Sequence, residues 1–296
     1  MELNYNSAAE LKSFLEQNSM GMQKKFGQNF LINPGIRQAL VDELEAEAGS
    51  QVWEIGPGLG AMTRLLRERD ILVRAFEIDH GFARALEELF AGDTGLALIK
   101  GDVMKTWPSE PSAPYLLGNL PYNIAAALLA DFIEKGRLFQ RMVVTVQREI
   151  AQRMAARPNS PAYSSFSVLC ASVYTVKPLM IIRGASFYPK PNVDSQGVRL
   201  DLRTDIGPDS YPAAFYPLLR RLFASRRKMI KNNLANFIAS GAGGLGLLSA
   251  GPLPATPQEI AAGVLAHSGL SGNERAENLE LESFVRLAQA IEDMRK

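Results

Sequence analysis

The sequence predicts an α/β fold, with a mostly parallel sheet flanked by helices, followed by a small all-helical C-terminal domain. Short apolar runs at 51–55, 71–77, 95–99, 114–118 and 141–147 alternate with helical patterns near 61–69, 80–90, 124–135 and 148–156. Several runs end in glycine or a short acid, as strands do where they turn into the next helix of such a sheet. Beyond Ile206-Gly207-Pro208 the strand pattern stops, and only helical patterns follow, broken by a Gly-rich loop at 241–246.

Along the chain, residues 1–22 read as a helical extension with Ala8, Leu11, Phe14 and Leu15 on one face. A loop, Lys24 to Leu31, leads to Asn33-Pro34, an N-cap with proline at the first helical position; Ile36, Leu40 and Leu44 continue at i, i+4 and i+8. After the alternating core, runs at 175–183 and 197–203 flank the Pro-rich 187–192 and predict an antiparallel hairpin closing the sheet edge. The predicted organisation is an extension at 1–22, a ligand-binding α/β domain at 23–205 and a helical domain at 206–296.

Composition excludes several function classes. Hydrophobic residues are 47 % and charged residues 21 % of 296, enough apolar content for a sizeable core. The net charge of +1 gives no overall basic excess, so any nucleic-acid signal must be local. The one cysteine, Cys170, excludes an internal disulfide framework and fits a reducing compartment. With only His80 and His267 beside it, no metal site and no Ser-His-Asp triad is predicted, and there is no Walker-type loop. No apolar run approaches the roughly 18 residues of a membrane span, and Met1-Glu2-Leu3-Asn4 does not open a signal peptide. A soluble cytoplasmic protein is expected.

The first chemical signal is Glu54-Ile55-Gly56-Pro57-Gly58-Leu59-Gly60, between a strand and a helix. Glycines there let backbone approach a ligand closely and aim helix N–H groups at it. Glu77 ends the next strand, 21 residues after Gly56, about where an acid accepts ribose hydroxyls. Asp102 ends the third strand, where a short carboxylate meets an exocyclic adenine amine. The G-x-G-x-G spacing favours S-adenosylmethionine over a dinucleotide. Gly241 to Gly246 matches the dinucleotide pattern literally, yet follows no strand and has no acid about 20 residues on, so it reads as a loop.

The second signal, Asn119-Leu120-Pro121-Tyr122-Asn123, closes the fourth strand at the same sheet edge. The N6 amine of adenine is a poor nucleophile because its lone pair is delocalised into the ring. Two acceptors for its N–H groups pull it toward a pyramidal nitrogen. The Asn119 side-chain oxygen and the Leu120 carbonyl, extended before Pro121, supply them. Tyr122 offers a face for the base. No strong general base is needed, since the methylated nitrogen is cationic and sheds its proton readily.

These segments, in order, resemble the rRNA adenine N6,N6-dimethyltransferases of the KsgA (RsmA) family from about Lys24 onward. The resemblance is also carried by Lys25-Phe26-Gly27-Gln28-Asn29-Phe30-Leu31, Gln147-Arg148-Glu149-Ile150-Ala151, Phe187 to Ser195 and Arg226-Arg227-Lys228. It implies a Rossmann-like class I methyltransferase core and transfer of four methyls from S-adenosylmethionine to two adjacent adenosines near the 3′ end of 16S rRNA. The partner implied is an assembling small subunit. By the same resemblance Asn29, Leu31, Gly56, Gly58, Glu77, Asp102 and Asn119 are cofactor contacts. Asn119 is shared with the target amine, and Tyr122 and Phe187 sandwich the base. Tyr163-Ser164-Ser165-Phe166 and Gln196-Gly197 depart from the family pattern, away from these motifs.

Arg220, Arg221, Arg226, Arg227, Lys228 and Lys231 lie between Leu218 and Leu234 with no acid among them, a local footprint for phosphate. Lys24 and Lys25 add a smaller patch. Arg226 or Arg227 has an alternative, pairing with a glutamate of 274–282. A monomer is expected. The rival assignments are a 23S rRNA methyltransferase of the antibiotic-resistance type and a non-catalytic ribosome-assembly factor. The resistance-type enzymes have a shorter C-terminal domain and Ser-Gln-Asn-Phe where this chain has Gly27-Gln28-Asn29-Phe30, and the intact Glu77, Asp102 and Asn119 weigh against lost catalysis.

Overall fold

A computed structural model describes residues 3–21, 28–206, 210–241 and 256–294. The chain divides into two compact units: Met1–Gln152 with Tyr174–Leu202, and Arg153–Val173 with Arg203–Lys296. Segment 153–173, which the sequence assigns to the α/β domain, therefore clusters with the second unit.

The elements run, in order, α1 (Ala8–Gln17), β1 (Phe30–Leu31), α2 (Pro34–Leu44), β2 (Gln51–Ile55), α3 (Ala61–Arg67), β3 (Leu72–Glu77), α4 (His80–Leu89), β4 (Leu96–Lys100) and α5 (Val103–Thr106). Next come β5 (Tyr115–Asn119), α6 (Ala125–Glu134), β6 (Arg141–Gln147), α7 (Arg148–Met154), α8 (Ser165–Val173), β7 (Tyr174–Ile182), β8 (Phe187–Tyr188) and β9 (Ser195–Leu202). The second unit continues with α9 (Phe215–Ala224), α10 (Ile230–Ala239), α11 (Pro257–Ser268) and α12 (Leu281–Asp293).

The main sheet has the order β4-β3-β2-β5-β6-β9-β7, with β2, β3, β4, β5 and β6 parallel and β9 antiparallel to both neighbours. The expected strands at 51–55 and 141–147 coincide with β2 and β6, and the other three lie within a residue of theirs. The hairpin strands do pair antiparallel, but β9 inserts between β6 and β7, which leaves β7 on the edge. Central strands are apolar on both faces because helices cover both. Trp53 of β2 stacks edge-on or tilted with Phe76, Phe132 and Phe139 at 4.8, 6.2 and 5.4 Å. A second cluster joins Leu40, Val41 and Leu44 of α2 to Val52, Val73, Leu117 and Val143. Burying each such side chain stabilises the fold by about 1.5–3 kcal/mol.

Asn33 caps α2 through Ile36 N, with Pro34 at the first position, as the sequence predicts. The extension forms α1, and Leu11 and Leu15 pack with Leu59, Phe82 and Ala85 beside the glycine turn.

In the second unit, Leu218, Leu222, Leu234, Phe237, Val264, Phe284 and Leu287 form a buried helical core. A capping box at Thr256 and Glu259 starts α11. Tyr163, which opens the divergent Ser164-Ser165-Phe166 stretch, is buried there and donates its hydroxyl to the Leu279 carbonyl at 2.8 Å. The Gly-rich segment 242–246 lies outside the described residues.

Candidate active site

All the strand-end motifs of the first unit open on one edge of the sheet, around a cleft of about 970 Å³ with its mouth included. Gly56, Gly58 and Gly60, which follow β2, all take left-handed φ, at +68°, +60° and +86°. A Cβ on Gly58 would stand 3.0 Å from the Phe30 ring, and one on Gly60 2.5 Å from the Phe90 ring. The backbone therefore follows a path that side chains would block.

Glu77, at the end of β3, is 4 % exposed. Its Oε2 accepts the Gly58 N–H at 3.1 Å and its Oε1 the Asp79 N–H at 2.8 Å. Burial pushes its carboxyl up to about 7, against the pull of those two N–H groups. Glu54, beneath the same turn, is fully buried and accepts the Thr63 hydroxyl at 2.7 Å on Oε2. Burial lifts it to about 7 as well. Asp79 caps α4, and its Oδ2 accepts Gln28 Nε2 at 3.3 Å, tying the loop before β1 to the cleft. Asp102 caps the short α5 through Oδ1, which accepts Met104 N–H at 3.0 Å.

Asn119 is the last residue of β5. Its Nδ2 donates to the Asn29 carbonyl at 2.7 Å, which fixes the amide and reserves Oδ1 as an acceptor. Leu120 N–H donates to the Thr145 carbonyl at 3.0 Å, continuing the ladder one step past the strand. The half-buried Tyr122 shares a 2.5 Å hydrogen bond with Ser195 Oγ, and burial raises its phenol above the ordinary value.

The structure thus brings Asn29, Leu31, Gly56, Gly58, Glu77, Asp102, Asn119, Leu120, Pro121 and Tyr122 to one cleft. Phe187 is placed differently. It pairs with Leu31 in the two-stranded β1–β8 ladder, is 3 % exposed, packs in the α2 cluster and is not among the cleft's lining residues. Side chains alternate along a strand, so Tyr188 turns instead toward the cluster around α1. Three residues that sequence reasoning missed are Arg37 and Ile78 on the cleft wall and Ser195 behind Tyr122. Ile78 directly follows Glu77, so its place beside the cleft could have been read from the strand end; Arg37 and Ser195 act through distant partners and carry no local signal.

The residues fit S-adenosylmethionine. The buried Glu77 carboxylate suits a pair of ribose hydroxyls, and Asp102 Oδ2 suits an exocyclic amine. Ile78 and Val103 give apolar contact for a base, and the open glycine turn gives room for the amino-acid end. Among the described residues no group of His, Cys, Asp and Glu could hold a metal. No described helix is long and apolar enough to cross a membrane.

In the second unit, Arg220, Arg221, Arg227, Lys228 and Lys231 are exposed on α9, α10 and the turn between them. Buried Asn233 braces that turn by donating to the Leu222 and Ser225 carbonyls at 3.0 and 3.1 Å. Arg226 takes the structural alternative: it pairs with Glu277 at 2.5 Å and donates to the Pro161 carbonyl at 2.9 Å. Lys24 and Lys25 lie outside the described residues.

Among known proteins, the profile of the family described as ribosomal RNA adenine dimethylase matches residues 20–243. Ribosomal RNA small subunit methyltransferase A of Treponema denticola is 43 % identical, the match spanning 97 % of this chain and 96 % of its own. A dimethyladenosine transferase from Plasmodium falciparum superposes with a TM-score of 0.73 at 25 % identity, over 86 % of this chain and 94 % of its own. The 23S rRNA methyltransferase ErmE superposes with a TM-score of 0.60 at 22 % identity, over 88 % of this chain and 99 % of its own, a likeness of fold.

Proposed function

The chain belongs to the ribosomal RNA adenine dimethylase family, and from that membership we propose that it methylates N6 of two adjacent adenosines near the 3′ end of 16S rRNA. S-adenosylmethionine is the donor and an assembling small subunit in the cytoplasm the partner, met by the enzyme as a monomer. The observation that carries this reading is the Asn119 amide, held by Nδ2 on the Asn29 carbonyl so that Oδ1 remains for the target amine.

When bound, the cofactor supplies an electrophilic methyl on a sulfonium. Glu77 holds the ribose, Asp102 the adenine amine, and the Gly56–Gly58 turn admits the methionine end. Asn119 Oδ1 and the Leu120 carbonyl accept the two N–H bonds of the target amine and draw its lone pair out of the ring. The base stacks on Tyr122, whose hydroxyl is tethered to Ser195 Oγ. After transfer the cationic nitrogen loses its proton to solvent, which agrees with the absence of histidine among the cleft residues. Phe187 would form the second face of a sandwich once its ring turns out of the α2 cluster. Unstacking a loop adenine costs only a few kcal/mol. Phosphate contacts fall to Arg220, Arg221, Arg227, Lys228 and Lys231, joined by Lys24 and Lys25 on the strength of the sequence alone.

The test is methyl transfer from labelled S-adenosylmethionine to small subunits lacking the modification, with 23S rRNA in parallel and nucleoside analysis of the product. Dimethyladenosine in 16S rRNA alone is expected, and Asn119→Ala should fold normally yet lose about 10²–10³ in turnover, as when one polarising group is removed elsewhere. Label in 23S rRNA would refute the substrate, and an Asn119→Ala rate within about tenfold of wild type would remove Asn119 from the chemistry.

A further inference from the structure

Arg37, on α2, is a buried cation with no counter-ion among the described residues. It is 5 % exposed, lines the cleft and forms no ion pair there. Its donors go to neutral oxygens: Nη1 to the Leu31 carbonyl at 2.6 Å and the Tyr5 carbonyl at 3.2 Å, and Nη2 to Asn6 Oδ1 at 2.5 Å. Its Nε is buried with no partner. Desolvating a guanidinium for carbonyl acceptors is costly, and an aliphatic side chain would fill the same volume at lower cost. Packing alone does not account for the residue.

Hydrogen bonds and short stretches of chain around it together form a continuous path. Tyr5, 7 % exposed, donates its hydroxyl to the Leu59 carbonyl of the glycine turn at 2.9 Å. Leu31 belongs to β1, two residues from Asn29, whose carbonyl holds Asn119. One guanidinium thus connects both sides of the cleft, the glycine turn through Tyr5 and the β1 segment through Leu31.

We propose that Arg37 is a positioning residue for the cofactor side of the cleft, and that the N-terminal segment around Tyr5 and Asn6, which it ties down, is a working part of that site. This rests on the reading that the cleft takes S-adenosylmethionine. Arg37 sets the spacing between the glycine turn and β1, and through Asn29 it keeps the Asn119 amide in its one useful orientation.

The experiment is calorimetric titration of the full chain with S-adenosylmethionine, on wild type, Arg37→Leu and Tyr5→Phe, with thermal unfolding alongside. Kd should rise about tenfold in Arg37→Leu and about threefold in Tyr5→Phe, as expected for hydrogen bonds lost from a preorganised site. The KM for small subunits should stay within about twofold of wild type, since no rRNA contact is altered. A merely structural role would lower the melting temperature and leave Kd unchanged, and that result in both variants overturns the proposal. Should Arg37→Leu fail to fold, Asn6→Ala, which removes the side-chain acceptor of Arg37 Nη2, takes its place beside Tyr5→Phe, with the same rise in Kd expected and an unchanged Kd in both overturning the proposal. A wild-type chain that fails to bind sinks the cofactor reading and this proposal with it, whereas tight wild type with equally tight variants sinks only the role of Arg37.

Discussion

Glu77 makes the site answer to pH, and the sign follows from its burial. Its folded-state value is pushed from 4.5 up to about 7, so between those values the folded chain holds a proton that the unfolded chain releases. The associated stability is present below about pH 4.5 and is lost as pH rises toward 7. Cofactor binding runs the other way, because ribose hydroxyls donate best to the ionised carboxylate. The Kd for S-adenosylmethionine should fall by about tenfold from roughly pH 6 to pH 8. Glu54 titrates in the same window, so the discriminating pair is Glu77→Gln, which should flatten the profile, and Glu54→Gln, which should keep its slope. A Kd that does not vary with pH in wild type would refute the assignment. At this scale the motif residues were legible because each sits where a strand ends, a position that spacing reveals. Arg37, Ser195 and Tyr5 were not, since each takes its meaning from a partner 6 to 73 positions away.

Among the elements, the turn from β2 into α3 is the most constrained. Gly60 is the N-cap of α3 at φ +86°, with no room for a Cβ before the Phe90 ring. Gly60→Ala should cost about 2–4 kcal/mol, combining left-handed strain with overpacking, and lower the melting temperature by several degrees, roughly 2–4 °C for each kcal/mol. Unchanged unfolding would mean the turn is softer than its geometry. The strands of the parallel half were readable because burial on both faces makes continuous apolar runs. The β1–β8 ladder was not: two residues on each side leave no period, and its partners are more than 150 positions apart. The insertion of β9 between β6 and β7 escaped for a related reason, since local patterns give strand identity but not neighbour order.

For the whole molecule, net charge of +1 conceals a division of labour. Arg227→Glu with Lys228→Glu should weaken small-subunit binding and lower the salt slope by about 0.7–0.9 for each phosphate left unneutralised, while Kd for S-adenosylmethionine stays that of wild type. Arg226→Ala should instead show in thermal stability, because its guanidinium is committed to Glu277 and Pro161. Equal loss of subunit binding in all three substitutions would contradict that separation. The division into two units has a further consequence, for the order in which a ribosome delivers the chain. Residues 153–173 emerge before β7 and β9, yet they cluster with helices that begin after residue 203. The apolar face of α8, with Phe166, Val168, Leu169 and Val173, must wait for partners synthesised later. Over the same interval β6 lacks β9, its antiparallel neighbour. Neither unit can finish from a contiguous stretch, so the nascent chain carries two unfinished hydrophobic surfaces at once, and the moment of greatest exposure to chaperones and proteases falls midway through translation.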